Sequence, residues 1–172
     1  MMRGTRCLLF SLLLFCSIPA LAQVGLYGEF SAAKLNVPNT GWIYGPTFGG
    51  YYDKGHLLLL NLGVDARVAL LGSGLTVLDS GLIGPRLAIV PHVLPLKPYA
   101  EALIGAGHAE YGQGFSTTRA TKFEYQFLGG LDFTFFPRLD WRVVEFSYGG
   151  VSGLGSSLNP ETISTGLVLR LP

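Results

Sequence analysis

Charge is what this sequence has least of. Asp, Glu, Lys and Arg make up only 13% of it, against the ~25% of an ordinary soluble domain. Past residue 22 lysine occurs only at Lys34, Lys54, Lys97 and Lys122. A water-facing surface on a chain of this size is normally covered with Lys and Glu, so a soluble globule is disfavoured. The 12 basic and 11 acidic residues nearly cancel, and nothing points to a nucleic-acid partner, which calls for a basic patch. Cysteine is confined to Cys7 and Cys16, so the chain beyond them has neither disulfide nor thiol chemistry. Beyond residue 22 no uncharged apolar run approaches the ~20 residues of a spanning helix. No His/Cys cluster has the spacing of a metal site. Gly149 to Gly155 matches no phosphate-cradling loop followed by a helix, and no cofactor is expected.

The chain opens with Arg3 and Arg6 ahead of an apolar run from Cys7 to Ile18, then Pro19 and the small-x-small site Ala20-Leu21-Ala22. Those are the three parts of a secretory signal peptide. The run is too short for a membrane anchor, and Phe15 before Cys16 does not suit lipoprotein processing. The expected division is a leader over 1–22 and one exported domain over 23–172.

That domain is rich in glycine, with 24 residues in the whole chain, and in aromatics at 12%. Its segments alternate with the period of two that a strand requires. From Phe123 to Phe135 the odd positions are aromatic or apolar except Gly129, and the even ones are mostly polar or small. Leu60 to Val68 sets Leu60, Leu62, Val64, Ala66 and Val68 against Asn61, Gly63, Asp65 and Arg67. The last segment opposes Ile163, Thr165, Leu167, Leu169 and Leu171 to Ser164, Gly166, Val168 and Arg170. Weaker alternation runs over Val24–Ala33, Tyr44–Tyr52, Leu82–Val90, Tyr99–Ala109 and Asp140–Tyr148. In the last of these the polar set slips from even to odd, which implies a bulge near Val144. Pro85 interrupts its segment, since a mid-strand proline gives up a ladder hydrogen bond. Eight segments of about ten residues suit tilted transmembrane strands. Short turns are expected at Asp53–Gly55, Pro91–Pro95 and Pro137–Leu139, and longer loops at Leu35–Ile43, Leu70–Ser80, Glu110–Thr121 and Gly149–Glu161. The predicted fold is all-β, an antiparallel up-and-down transmembrane β-barrel of about eight strands, with both termini on the periplasmic side.

Which face meets lipid follows from the charges. Glu29, Asp65, Arg67, Arg86, Glu101, Glu124, Asp132, Arg142, Glu145 and Arg170 almost all fall opposite the aromatics. Four arginines and six carboxylates without a lysine suit planar, desolvated pairing. They are expected to form a charge network in a packed lumen, because eight strands leave room only for side chains. A gated ion path is the sharper alternative.

The whole exported domain resembles the small outer-membrane barrels of the OmpA/OmpX type, the "outer membrane protein β-barrel domain" family. The resemblance rests most on the final strand, where Ser164, Gly166, Leu169 and Leu171 fall on the polar-x-Gly-x-x-hydrophobic-x-hydrophobic spacing of an assembly signal. The chain departs from that pattern by ending in Leu171-Pro172 and not on an aromatic residue. The resemblance implies residence in the cell outer membrane, lipid as surroundings and the barrel-assembly machinery as a partner in biogenesis. It implies little about activity, because one fold hosts many. A structural or surface-contact role is the first expectation and a narrow porin-like channel the second. A lipid-modifying enzyme comes third. Of His56, His92 and His108, only His108, beside Glu110, is a candidate base, and the His-x-Ser pairing of lipid A deacylases is absent. No catalysis is expected.

Overall fold

A computed structural model describes residues 22–36, 41–57, 59–74, 76–91, 94–113, 116–152 and 158–171. The expected leader up to residue 21, including Arg3, Arg6, Cys7 and Cys16, lies outside them, as do His92 and Pro172. Eight strands follow one another: β1 (Ala22–Lys34), β2 (Trp42–Leu57), β3 (Leu60–Ser73), β4 (Thr76–Ile89), β5 (Leu96–Gln113), β6 (Ser116–Phe136), β7 (Leu139–Val151) and β8 (Glu161–Leu171). Each pairs antiparallel with the next, and β1 pairs with β8 from Val24↔Leu171 to Lys34↔Glu161, closing the barrel. Closure leaves no free sheet edge around the wall.

The two faces of the wall are inverted relative to a soluble protein. Leu62, Val68, Ile83, Ile104, Phe127 and Phe146 are among the apolar residues exposed outside, while Asp65, Arg86, Glu101, Asp132 and Arg142 are buried inside. On β3 the outward apolar residues run from Leu60 to Leu70. At a rise of ~3.4 Å per residue and a tilt of ~40°, that stretch gives a band about 26 Å tall, close to the ~25 Å apolar band of bacterial barrels. The barrel therefore spans a bilayer.

Several connections are shorter than the sequence suggests. Leu70–Ser80 is a tight hairpin turning at Gly74, with Ser73 opposite Thr76. Glu110–Thr121 is likewise ladder, paired as far as Gln113↔Ser116. The composition there is rich in Gly, Ser and Thr because strands that rise beyond the membrane have no face turned to lipid and lose their apolar alternation. At the other end Asp53-Lys54-Gly55 is not a turn. β2 continues to Leu57, and a register shift between Lys54 and His56 absorbs Gly55 as an extra residue. Asp53, just before the shift, keeps the inward parity of Thr47 and Tyr51.

Pro85 sits where its missing N–H costs one seam only. It pairs with Val64 on β3, while the β4–β5 ladder skips from Ile83↔Ile104 to Arg86↔Glu101. Gly84 keeps that seam shut, since a Cβ there would come within 2.9 Å of the Leu103 Cα.

The slip in β7 is a bulge, one residue earlier than expected. Leu131 faces Val144 but Asp132 faces Arg142, leaving Val143 unpaired. Because a bulge adds one residue to the count, Arg142 and Glu145 both turn into the lumen despite their odd separation. A second device clears space for rings: Tyr99 lies where a Cβ on Gly130 would be, as Tyr27 does for Gly49 and Tyr51 for Gly25. Gly130→Ala should therefore displace Tyr99 and lower unfolding free energy in detergent by about 1–3 kcal/mol. Gly81→Ala, whose Cβ would meet nothing within 4 Å, should be near neutral in the same urea titration.

Candidate functional site

The feature that fills the barrel is a column of alternating phenol rings and guanidinium groups. Tyr51, Arg86, Tyr99, Arg142, Tyr27 and Arg67 follow one another across the lumen. Guanidinium-to-ring distances are 4.2 Å for Arg86–Tyr51, 4.1 Å for Arg86–Tyr99 and 4.5 Å for Arg142–Tyr99. Arg142 is 4.3 Å from Tyr27, and Arg67 is 5.5 Å from the same ring. A cation over a ring face is attracted by the ring quadrupole, by ~2 kcal/mol or more when water is excluded.

Carboxylates surround the column and hold its edges. Arg67 reaches Glu145 at 2.6 Å, Glu101 at 2.9 Å and Asp65 at 3.4 Å. Arg86 pairs with Glu101, lies 3.5 Å from Asp132 and 3.7 Å from Asp53. Arg142 pairs with Glu29, and reaches Asp132 at 2.9 Å and Glu145 at 3.2 Å. The ring hydroxyls join in: Tyr27 donates to Asp65 at 2.8 Å and Tyr99 to Glu145 at 2.7 Å. In a dry interior a lone charge costs several kcal/mol, and fork-shaped pairing is what makes a buried arginine tolerable.

Of the ten residues singled out in the sequence, eight meet in this network. The other two do not. Arg170 belongs to a separate cluster near the termini, where Asp140 accepts from Lys97 at 2.9 Å and Thr134 at 2.7 Å, with Arg170 at 3.0 Å. Glu124 stands toward the opposite end, accepting from the Ser80 hydroxyl at 2.7 Å; among the described residues it has no ion-pair partner. Beside it Ser164 donates to Ser31, and Ser31 meets Thr47, both at 2.8 Å. These hydroxyls help line a small cavity of about 20 Å³, room for about one water molecule. Beyond it the lumen is capped by buried Ala33, Leu35, Ile43, Leu71, Leu78, Ala109, Val151 and Leu158.

Tyr27, Tyr51, Tyr99, Asp53, Asp140 and Lys97 join the polar lining of the lumen, and the charges on the strand faces alone do not point to all of them. The signal was available for two of the rings, since Tyr27 and Tyr99 share the parity of Glu29 and Glu101. In the final strand Ser164 faces inward, and Gly166 admits the neighbouring backbone, its Cβ position lying 2.7 Å from the Glu29 Cα. Leu169 and Leu171 face outward. The side chain of His56 lies outside the described residues. His108 faces outward with Nδ1 3.0 Å from the Thr121 hydroxyl. Asp79 is opposite it in register, but no hydrogen bond joins the two. Among the described residues no group of three His, Cys, Asp or Glu is placed to hold a metal.

Removing one member of the column should be far more damaging than trimming its periphery. Arg142→Met strands Glu29 and Asp132 and should cost about 3–5 kcal/mol in urea unfolding. Adding Glu29→Gln should restore part of that loss, and Arg170→Gln alone should cost about 1 kcal/mol or less.

No family model matches the chain, and no curated protein matches it. Solved structures do. Neisserial surface protein A is 17% identical with a TM-score of 0.57, over 87% of this chain and 97% of that one. Ail, the attachment invasion locus protein of Yersinia pestis, in complex with the heparin analogue sucrose octasulfate, is 15% identical with a TM-score of 0.53 over the same shares. At these identities what is held in common is the fold: the closed, eight-stranded antiparallel barrel of small outer-membrane proteins.

Proposed function

We propose that this chain resides in the cell outer membrane as a filled barrel that supports envelope structure or surface contact. The observation that carries the reading is the lumen itself, occupied along its middle by the arginine–tyrosine column and capped by a buried apolar cluster. Solute passage would require breaking several buried ion pairs at once. The leader expected over 1–22 and the spacing of Ser164, Gly166, Leu169 and Leu171 agree with export and with handling by the barrel-assembly machinery.

Catalysis draws little support from the described residues. His108 touches a threonine hydroxyl, but Asp79 makes no hydrogen bond that would orient the ring, as nucleophilic catalysis needs. Polyanion binding of the kind named for the Ail complex is not favoured either. At the end away from the termini Lys34, Arg119 and Lys122 are balanced by Asp79, Glu110 and Glu161. Arg119 there is already bonded to Glu110 at 2.8 Å, and that carboxylate raises its pKa further.

Deleting the gene tests this reading. Cells lacking the protein should become more sensitive to detergents or lose surface adhesion, with uptake of small sugars unchanged. A selective drop in uptake, restored by the cloned gene, would sink the reading in favour of a channel.

A further inference from the structure

With the lumen network accounted for, the remaining charges are unevenly divided between the two ends of the barrel. The end away from the termini is balanced, as described above. The end bearing the termini carries Lys54, Lys97, Arg138 and Arg170. Among the described residues Asp140 is the one carboxylate there not already committed to the central column. It is buried between Lys97 and Arg170. Lys54 and Arg138 are exposed, and neither forms an ion pair among the described residues.

Arg138 is also held in an uncommon conformation. In the two-residue turn between β6 and β7 it has a φ of 69°, in the left-handed region that glycine occupies without penalty. Its carbonyl accepts the Arg170 N–H at 2.8 Å, which stitches the turn to β8. Glycine would make the same bond without strain. A strained exposed residue is a pointer to a role for its side chain. The surroundings say what that side chain meets. Phe135, Phe136 and Trp141, 44%, 63% and 46% exposed, flank the turn on the lipid-facing wall. The first two rings meet edge to face at 5.5 Å. Barrels carry girdles of aromatic residues at both membrane interfaces, and Arg138, exposed in the turn next to these rings, is at the level of lipid phosphates.

We infer that the terminus-bearing end of the barrel binds anionic phospholipid headgroups through Arg138 and Lys54, with Lys97 and Arg170 adding to the local positive potential. A guanidinium matches a phosphate with two parallel hydrogen bonds, and an ammonium adds a point charge. The inference rests on the bilayer-spanning reading of the fold.

The test uses the chain from residue 23 onward, refolded into neutral phosphatidylcholine vesicles and into vesicles with about 30% phosphatidylglycerol, with urea unfolding rates followed by heat-modifiable migration. Unfolding should be slower in the anionic vesicles by about fivefold for each basic residue engaged. K54Q/R138Q should cut that ratio at least fivefold, and about 0.5 M salt should do the same to the unaltered chain. R138G separates charge from strain: it should unfold more slowly than the unaltered chain in neutral vesicles yet lose part of the anionic preference. A ratio of one for the unaltered chain, or a ratio that K54Q/R138Q leaves intact, would overturn the proposal. Failure to insert into either vesicle would instead overturn the bilayer-spanning reading on which it stands.

Discussion

Three guanidinium groups, those of Arg67, Arg86 and Arg142, are buried in the middle of this barrel, where each must be paired with carboxylates or cost several kcal/mol. The wall is arranged around that demand. Glu29 comes from β1, Asp53 from β2, Asp65 from β3, Glu101 from β5, Asp132 from β6 and Glu145 from β7. No two strands can slip relative to one another without unpairing a charge, so the network fixes register from the inside. β8, which gives nothing to the column, is tied through Arg170 to Asp140 and through Ser164 to Ser31. One irregularity of the sheet serves the same end: the bulge at Val143 turns Arg142 and Glu145 to one face.

Packing completes what charge begins. Flat rings on both sides of Arg86 and Arg142 exclude water from the guanidinium faces, while carboxylates occupy their edges. Glycines opposite Tyr27, Tyr51 and Tyr99 provide the room that the ends of those rings occupy. The result is an interior in which charged and polar groups are buried as hydrocarbon is elsewhere, and the band of exposed leucine, isoleucine and phenylalanine outside is left to the lipid.

Much of this was legible in the sequence. Period two sorted the strand charges to one side, the scarcity of lysine told against a wet exterior, and the parity slip in Asp140–Tyr148 marked the bulge to within one residue. What stayed hidden has physical causes. A tyrosine has an apolar body and a polar tip, so Tyr51, in a stretch of glycine and aromatic residues without a charge, does not declare a face on its own. Asp53-Lys54-Gly55 has the composition of a turn, and only pairing with β3 distinguishes a bulge from one. The strand ends at Ser73 and Thr76 carry loop-like residues because strands that rise beyond the membrane have no face turned to lipid. Which carboxylate each arginine takes is decided by shear and strand order, and neither is written in any local stretch.

The central claim is that the column closes the lumen to solutes, and single-channel recording in a planar bilayer tests it most directly. The unaltered protein should insert and give no steady conductance steps across a wide voltage range. Discrete, long-lived openings from the unaltered protein would contradict the proposal that Arg86, Tyr99 and Arg142 block the lumen while their pairs are intact.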